Sequence, residues 1–337
     1  MKKLAVFFLS LSLLLSACGG AAPEKAESFT CGTGESQCFA MSGDTLISAT
    51  GNGVRGFDLT GEKVFEVRSD MAHPAVCSNG SETVICDVGG SAIVYGDGSV
   101  LSFENIIISA SLSEGGCLAV CAEEPGYKGA VTVYPPEKRP VYKWYSAERR
   151  TAGAAVSPDG ERLAVLCAGE SGGEIHIFSL DSEETQGVYS APEMLSEVFW
   201  VDKTICGIGG SGLYYCDAEG RDKGGYEFGE LFPGSFRVWD DKLVIELRAH
   251  SSGGAGELVV IDDRGSELGR ISPGEELISL DCGDDGILCL TQSGVTLYDT
   301  DYSETFSADM TGAEAAFLRQ AGDILAVGSG NARAIEY

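Results

Sequence analysis

The sequence predicts an all-β chain folded as an eight-bladed β-propeller of four-stranded antiparallel blades. Three observations carry that prediction: an apolar strand that returns along the chain, Gly- and Asp-rich turns between the strands, and two chain ends that each lack a partner. The apolar strand begins near Thr45, Thr83, Cys117, Arg162, Lys203, Lys242, Gly286 and Asp323. The starts lie roughly 34 to 45 residues apart, which is the length of one blade. Nearly unbroken apolar character, as from Leu163 to Cys167, implies burial on both faces. Blades stacked around an axis supply that sandwich. An open sheet of roughly 32 strands would not, since sheets beyond about ten strands curl or split.

Each repeat reads in the same order. A short strand comes first, as at 154–157, 198–201 and 236–239, and is expected to be shorter than the apolar strand that follows it. A Gly-rich loop then leads to a third strand, as at 54–59 or 258–262, and a turn leads to a fourth, as at 63–67 or 268–271. Gly and Asp supply the backbone conformations that tight hairpins need, which is why they recur at these offsets. After Tyr337 the last repeat lacks its outermost strand, whereas residues 27–31 precede the first complete repeat with no other partner. An N-terminal strand closing the last blade satisfies both, and makes 27–337 one domain. Seven blades is the alternative, if one weak repeat is a loop excursion.

The start of the chain reads as an address. Lys2 and Lys3 precede an apolar stretch from Leu4 to Leu15 and small residues at Ser16 and Ala17, the layout of a secretory signal over 1–17. That stretch falls short of the about 20 residues a spanning helix needs. Leu15-Ser16-Ala17-Cys18 followed by Gly19-Gly20 resembles the lipobox of bacterial lipoproteins. The resemblance implies cleavage before Cys18, a diacylglyceryl group on its thiol and a tether over 18–26, placing the protein on the extracytoplasmic face of the cell membrane. Two acyl chains suffice for stable anchoring.

The formal net charge is −28, which favours solubility and opposes binding to nucleic acid. An exported location permits disulfides among the twelve cysteines. Cys86, Cys121, Cys167, Cys206 and Cys289 sit in apolar strands and read as small buried hydrophobes. Cys206 and Cys216 flank one hairpin turn and Cys282 and Cys289 another, so cross-strand bridges are the sharper expectation and free thiols the blander one. No cysteine pair has zinc-site spacing that recurs with a second pair, so a structural metal is not expected. The acidic doublets Asp240-Asp241, Asp262-Asp263 and Asp284-Asp285 fall in turns, where Asp is favoured for backbone reasons, so no metal is expected.

Ser157-Pro158-Asp159-Gly160 and the strand after it resemble the hairpin of WD40-like and quinoprotein-like propellers, with degenerate echoes at Ser42-Gly43-Asp44 and Ala321-Gly322-Asp323. The plan of lipobox plus propeller is similar to uncharacterised propeller proteins of anaerobic monoderm bacteria. That resemblance concerns fold and carries no activity. A quinone cofactor would call for repeated tryptophan positions, yet there are three tryptophans, Trp144, Trp200 and Trp239, which read as core. Three histidines and no HExxH, nucleophile elbow or P-loop leave catalysis without support, and no cofactor is expected.

Scarce positive charge is the remaining clue. The face formed by blade-to-blade linkers and by loops between the second and third strands is expected to hold Arg68, His73, Arg149, Arg150, Arg248 and His250, together with the longest loops. Loops on a rigid scaffold are where binding residues concentrate. The sharp reading is a recognition face for an anionic or polar group; the bland one is solvated charge on an acidic surface. The leading function is a binding or scaffold lipoprotein that engages a protein or glycan through this face. A hydrolase or lyase using paired carboxylates at the channel mouth is the alternative from another class, and a structural subunit of an envelope complex is the third.

Overall fold

The computed structural model describes residues 28–31, 38–169, 172–182, 184–319, 322–328 and 330–337. The segment 1–17, Cys18, the tether 18–26 and Glu27 lie outside the described residues. Thirty-two strands pair into eight antiparallel sheets of four, arranged as an eight-bladed β-propeller. Blades 1 to 7 are continuous in sequence: 38–68, 74–102, 107–146, 151–190, 195–227, 232–271 and 279–309. Blade 8 joins 313–336 to the N-terminal strand Ser28–Thr30, which pairs with Asn331–Glu336 and forms its outer edge. The count is therefore eight rather than seven, and the terminal clasp is present.

The returning apolar strand is the second from the axis in every blade. Thr204–Gly209 and Gly286–Leu290 are buried at every position, because a neighbouring blade covers each face. The inner strand is shorter than the apolar strand, as expected, in blades 1 and 4 but not in the others. Phe232–Trp239, at eight residues, exceeds the apolar strand Lys242–Arg248 beside it, at seven. Its extra length comes from a bulge between Pro233 and Phe236, which adds residues without lengthening the ladder.

Eight clusters of buried side chains fill the eight seams between blades. At one seam Cys206, Ile208 and Leu213 of blade 5 meet Leu243, Ile245 and Val259 of blade 6. At the last seam Leu325 and Val327 of blade 8 meet Leu46 and Phe57 of blade 1, so the ring closes on itself. Burying each such side chain contributes about 1.5–3 kcal/mol. The inner strands are also latched polar group to polar group. Ser111 Oγ donates to Ala154 O at 2.5 Å, Trp200 Nε1 to Ala155 O at 3.0 Å, Trp239 Nε1 to Gly283 O at 3.0 Å, and the Leu318 amide to Asp281 Oδ2 at 2.8 Å.

The turn between the third and outer strands of one blade rests on the outer strand of the blade before it. A Cβ at Gly98, where φ is +81°, would lie 2.8 Å from the Phe65 ring, and one at Gly61, where φ is +85°, would lie 2.9 Å from Phe29. Only glycine accepts both the conformation and the approach. Phe29 thus does for blade 8 what Phe65 does for blade 1: the clasp reproduces an internal contact of the repeat.

The cross-strand bridges expected at the two hairpins are not part of the structure: Cys206, Cys216, Cys282 and Cys289 are free thiols. Cys206 lies opposite Tyr215, and Cys216 opposite Ile205. That one-residue offset sends the two thiols to opposite faces of the sheet, Cys206 to the seam with blade 6 and Cys216 to the seam with blade 4. Cys282 and Cys289 share a face but are diagonal, since Cys282 faces Ile287 and Cys289 faces Leu280. Diagonal positions lie about 7–8 Å apart between Cα atoms, too far for an unstrained bridge.

Candidate functional site

Linkers between blades and turns between second and third strands share one face, called here the linker face. Its longest turns are 123–128 in blade 3 and 249–255 in blade 6, with the partly described turn 169–172 in blade 4. The basic residues expected on this face are there, in three sectors. Arg68 and His73 are exposed between blades 1 and 2, Arg150 is exposed before blade 4, and Arg248 and His250 flank the turn of blade 6. Among the described residues no hydrogen bond or ion pair joins one sector to another. Arg149 is already committed: its Nε lies 2.9 Å from Glu174 Oε2, which also lies 3.2 Å from His176 Nε2. Arg248 is half-buried and donates to Pro233 O at 3.4 Å.

Sequence reasoning missed a more coherent feature on this face. In each blade the residue that opens the inner strand, or immediately precedes it, stands at the mouth of the central channel. The carbonyls of His73, Ile106 and Arg150 occupy equivalent places, accepting amides from Val88, Glu123 and Ala168. At the same place blades 3, 5, 6 and 7 present Ile106, Met194, Phe232 and Ile278, exposed by 45 %, 55 %, 41 % and 41 %. Four large apolar side chains and two basic ones therefore rim one opening. Just inside it the inner strands of blades 3, 4, 5, 6 and 8 shift register within their first residues. Bulges bend a strand and re-aim its side chains, and cluster beside functional sites. The available signal was a large apolar residue where the linker meets the inner strand in blades 3, 5, 6 and 7.

Two details stiffen the rim. Glu246 is buried to 2 % exposure in the otherwise apolar second strand of blade 6. Its Oε2 accepts the Ser235 amide at 3.1 Å, pinning the blade 6 bulge below Phe232, while Oε1 has no partner. Glu193, in the linker carrying Met194, accepts the amides of Gly210 and Ser211 and the hydroxyls of Ser211 and Tyr214. Farther out on blade 3, Tyr127 and Tyr145 pack at 4.8 Å with Lys143 over the Tyr145 ring at 4.7 Å.

The opposite face differs in charge. Every turn there carries Asp or Glu except 320–322, whereas 51–52, 88–91, 210–211, 249–255, 291–293, 310–312 and 329–330 on the linker face carry none. Many of these carboxylates cap their own turns; Asp58 Oδ1 accepts amides from Thr60 and Glu62, and Asp299 Oδ1 from Asp301 and Ser303. Among the described residues no three His, Cys, Asp or Glu side chains converge as a metal site.

Inside the channel a cavity of about 240 Å³ is walled by Cys38, Phe39, Arg237, Leu280, Glu314 and Phe317, from blades 1, 6, 7 and 8. Burial pushes the Asp281 carboxyl above its ordinary range, against the Leu318 amide and the Arg237 charge. Glu197 is reached by solvent, yet the channel walls around it push its carboxyl up too. The two share no hydrogen bond.

Likeness to solved structures is confined to the fold. The structure described as Saccharomyces cerevisiae Sqt1 aligns at a TM-score of 0.65 with 10 % identity, covering 92 % of this chain and 98 % of that one. BamB from Moraxella catarrhalis aligns at 0.55 with 14 % identity, covering 94 % and 100 %. A chain of the Mitotic Checkpoint Complex aligns at 0.53 with 13 % identity, covering 98 % and 99 %. Comparison with the curated proteins finds no match. The model of DUF5711 matches residues 24–335, and the chain belongs to that family of unknown function.

Proposed function

We propose that this protein is a binding and scaffold lipoprotein, anchored through Cys18 at the extracytoplasmic face of the cell membrane, that docks a protein partner over the channel mouth of its linker face. The rim of Ile106, Met194, Phe232 and Ile278 with His73 and Arg150 carries the reading. Interfaces are centred on desolvated apolar anchors joined by arginine, and a rigid strand scaffold spares such anchors an ordering cost. Exposed Ile and Met favour a polypeptide over a glycan, whose hydroxyls they cannot bond. The fold supports the reading by analogy alone, in that one structural neighbour is a chain of a protein complex.

The test is photo-crosslinking in native membranes, with a benzophenone amino acid at Met194 and, as control, at Asp241 on the opposite face. A discrete protein adduct from position 194, absent from 241 and lost in the Ile106→Asp/Ile278→Asp variant, is the expected result. Equal adducts from both positions would refute docking at the rim. Release of a Cys18→Ser variant from the membrane fraction checks the anchor separately.

A further inference from the structure

The channel cavity is lined by two opposite charges, of which the one on Arg237 also acts on the buried Asp281 carboxyl. Arg237 and Glu314 both line it, from blades 6 and 8, and neither forms an ion pair among the described residues. Among basic side chains of the inner strands, Arg319 is tied to Asp323 while Arg237 donates only to its neighbour's carbonyl, Phe236 O, at 2.9 Å. Between the two charges the wall is apolar, formed by Phe39, Leu280 and Phe317.

We propose that this cavity binds a small zwitterion with an apolar side chain, its carboxylate on Arg237 and its ammonium on Glu314. A guanidinium matches a carboxylate through paired N–H donors. The size agrees, because 240 Å³ is the room of about eight waters, that of an amino acid or very short peptide. A simple anion is the poorer fit, since it would meet Glu314 and a chain of net charge −28, whereas a zwitterion carries no net charge into that field. The site lies within the channel and is independent of docking at the rim.

Isothermal titration of the full-length protein in detergent tests this with leucine and alanyl-leucine as probes, distinguishing a free amino acid from a peptide as the source of the zwitterion. Leucinamide lacks the carboxylate, and N-acetylleucine lacks the ammonium. Binding of either probe, weakened at least tenfold by Arg237→Gln and by Glu314→Gln, is expected, with both analogues equally impaired. Unchanged melting transitions show that these substitutions spare the fold. Failure of both probes to bind, a loss smaller than tenfold in either variant, or N-acetylleucine binding as tightly as leucine overturns the assignment.

Discussion

Phe29→Ala probes the clasp with one side chain. Phe29 is half-buried against blade 1, beside Gly61 and within the cluster that joins blades 8 and 1. Truncating a fully buried Phe costs about 3–5 kcal/mol, so half burial implies about 2 kcal/mol. The strand Ser28–Thr30 is short and has a partner on one side only, so the loss should appear first as local opening of blade 8 and not as global unfolding. Two kcal/mol corresponds to roughly 30-fold in an opening equilibrium. Amide hydrogen exchange read by mass spectrometry should show about that acceleration in peptides covering 323–336 and 45–57, and little change in 162–179 across the ring. Uniform acceleration in all blades, or none in 323–336, would refute a locally acting clasp.

Further outcomes follow from other contacts. Gly61→Ala and Gly98→Ala combine a positive φ with a close approach to Phe29 and Phe65, and each should cost at least about 1–2 kcal/mol in urea unfolding. Trp200→Phe removes the side-chain hydrogen bond to Ala155 O that latches blade 5 to blade 4, for a loss of about 0.5–1.5 kcal/mol by the same measurement. Burial opposes ionisation of Asp97, but hydrogen bonds from Lys138 and Ser99 outweigh it and hold the carboxyl at about 2. Its folded value lies below the ordinary one, so the contribution is present above about pH 4 and fades as pH falls through 2. Because the pair is largely exposed, Asp97→Asn should cost at most about 1 kcal/mol at pH 7, a difference that closes towards pH 2. Burial pushes the Cys121, Cys167, Cys216 and Cys289 thiols up to about 12. Native protein should therefore leave these four unalkylated by iodoacetamide at pH 8, and urea-unfolded protein should alkylate them all.

The fold was legible because its signal is repeated and physical: a strand covered on both faces must be apolar throughout, and Leu163 to Cys167 or Ile287 to Leu290 show it in one line of sequence. The clasp was legible from a deficit at each end. Register was not, because moving Cys206 by one residue changes its seam without changing the alternation that composition reveals. The basic residues were placed on the correct face, yet their availability was invisible: nothing local distinguishes Arg149, held by Glu174, from exposed Arg150. The rim escaped notice for a related reason. Ile106, Met194, Phe232 and Ile278 are far apart in sequence, and only the closed ring makes them neighbours around one opening. Glu246 is the exception that could have been seen, a carboxylate inside a run of apolar residues, where a conflict between pattern and chemistry marks a functional or strained position.

The pairing of Ser28–Thr30 with Asn331–Glu336 joins residues as far as 305 positions apart, Ser28 with Arg333. Contacts of such separation form slowly, because the entropy of closing the intervening chain is lost before the contact repays it. During synthesis the first strand waits, unpaired, until Asn331–Glu336 has emerged, and the residues of blades 1 to 7 all emerge before it. The nascent molecule is then an open arc with the apolar face of its last blade uncovered, and the time until that face is covered is when it is most vulnerable to proteolysis and to joining another copy.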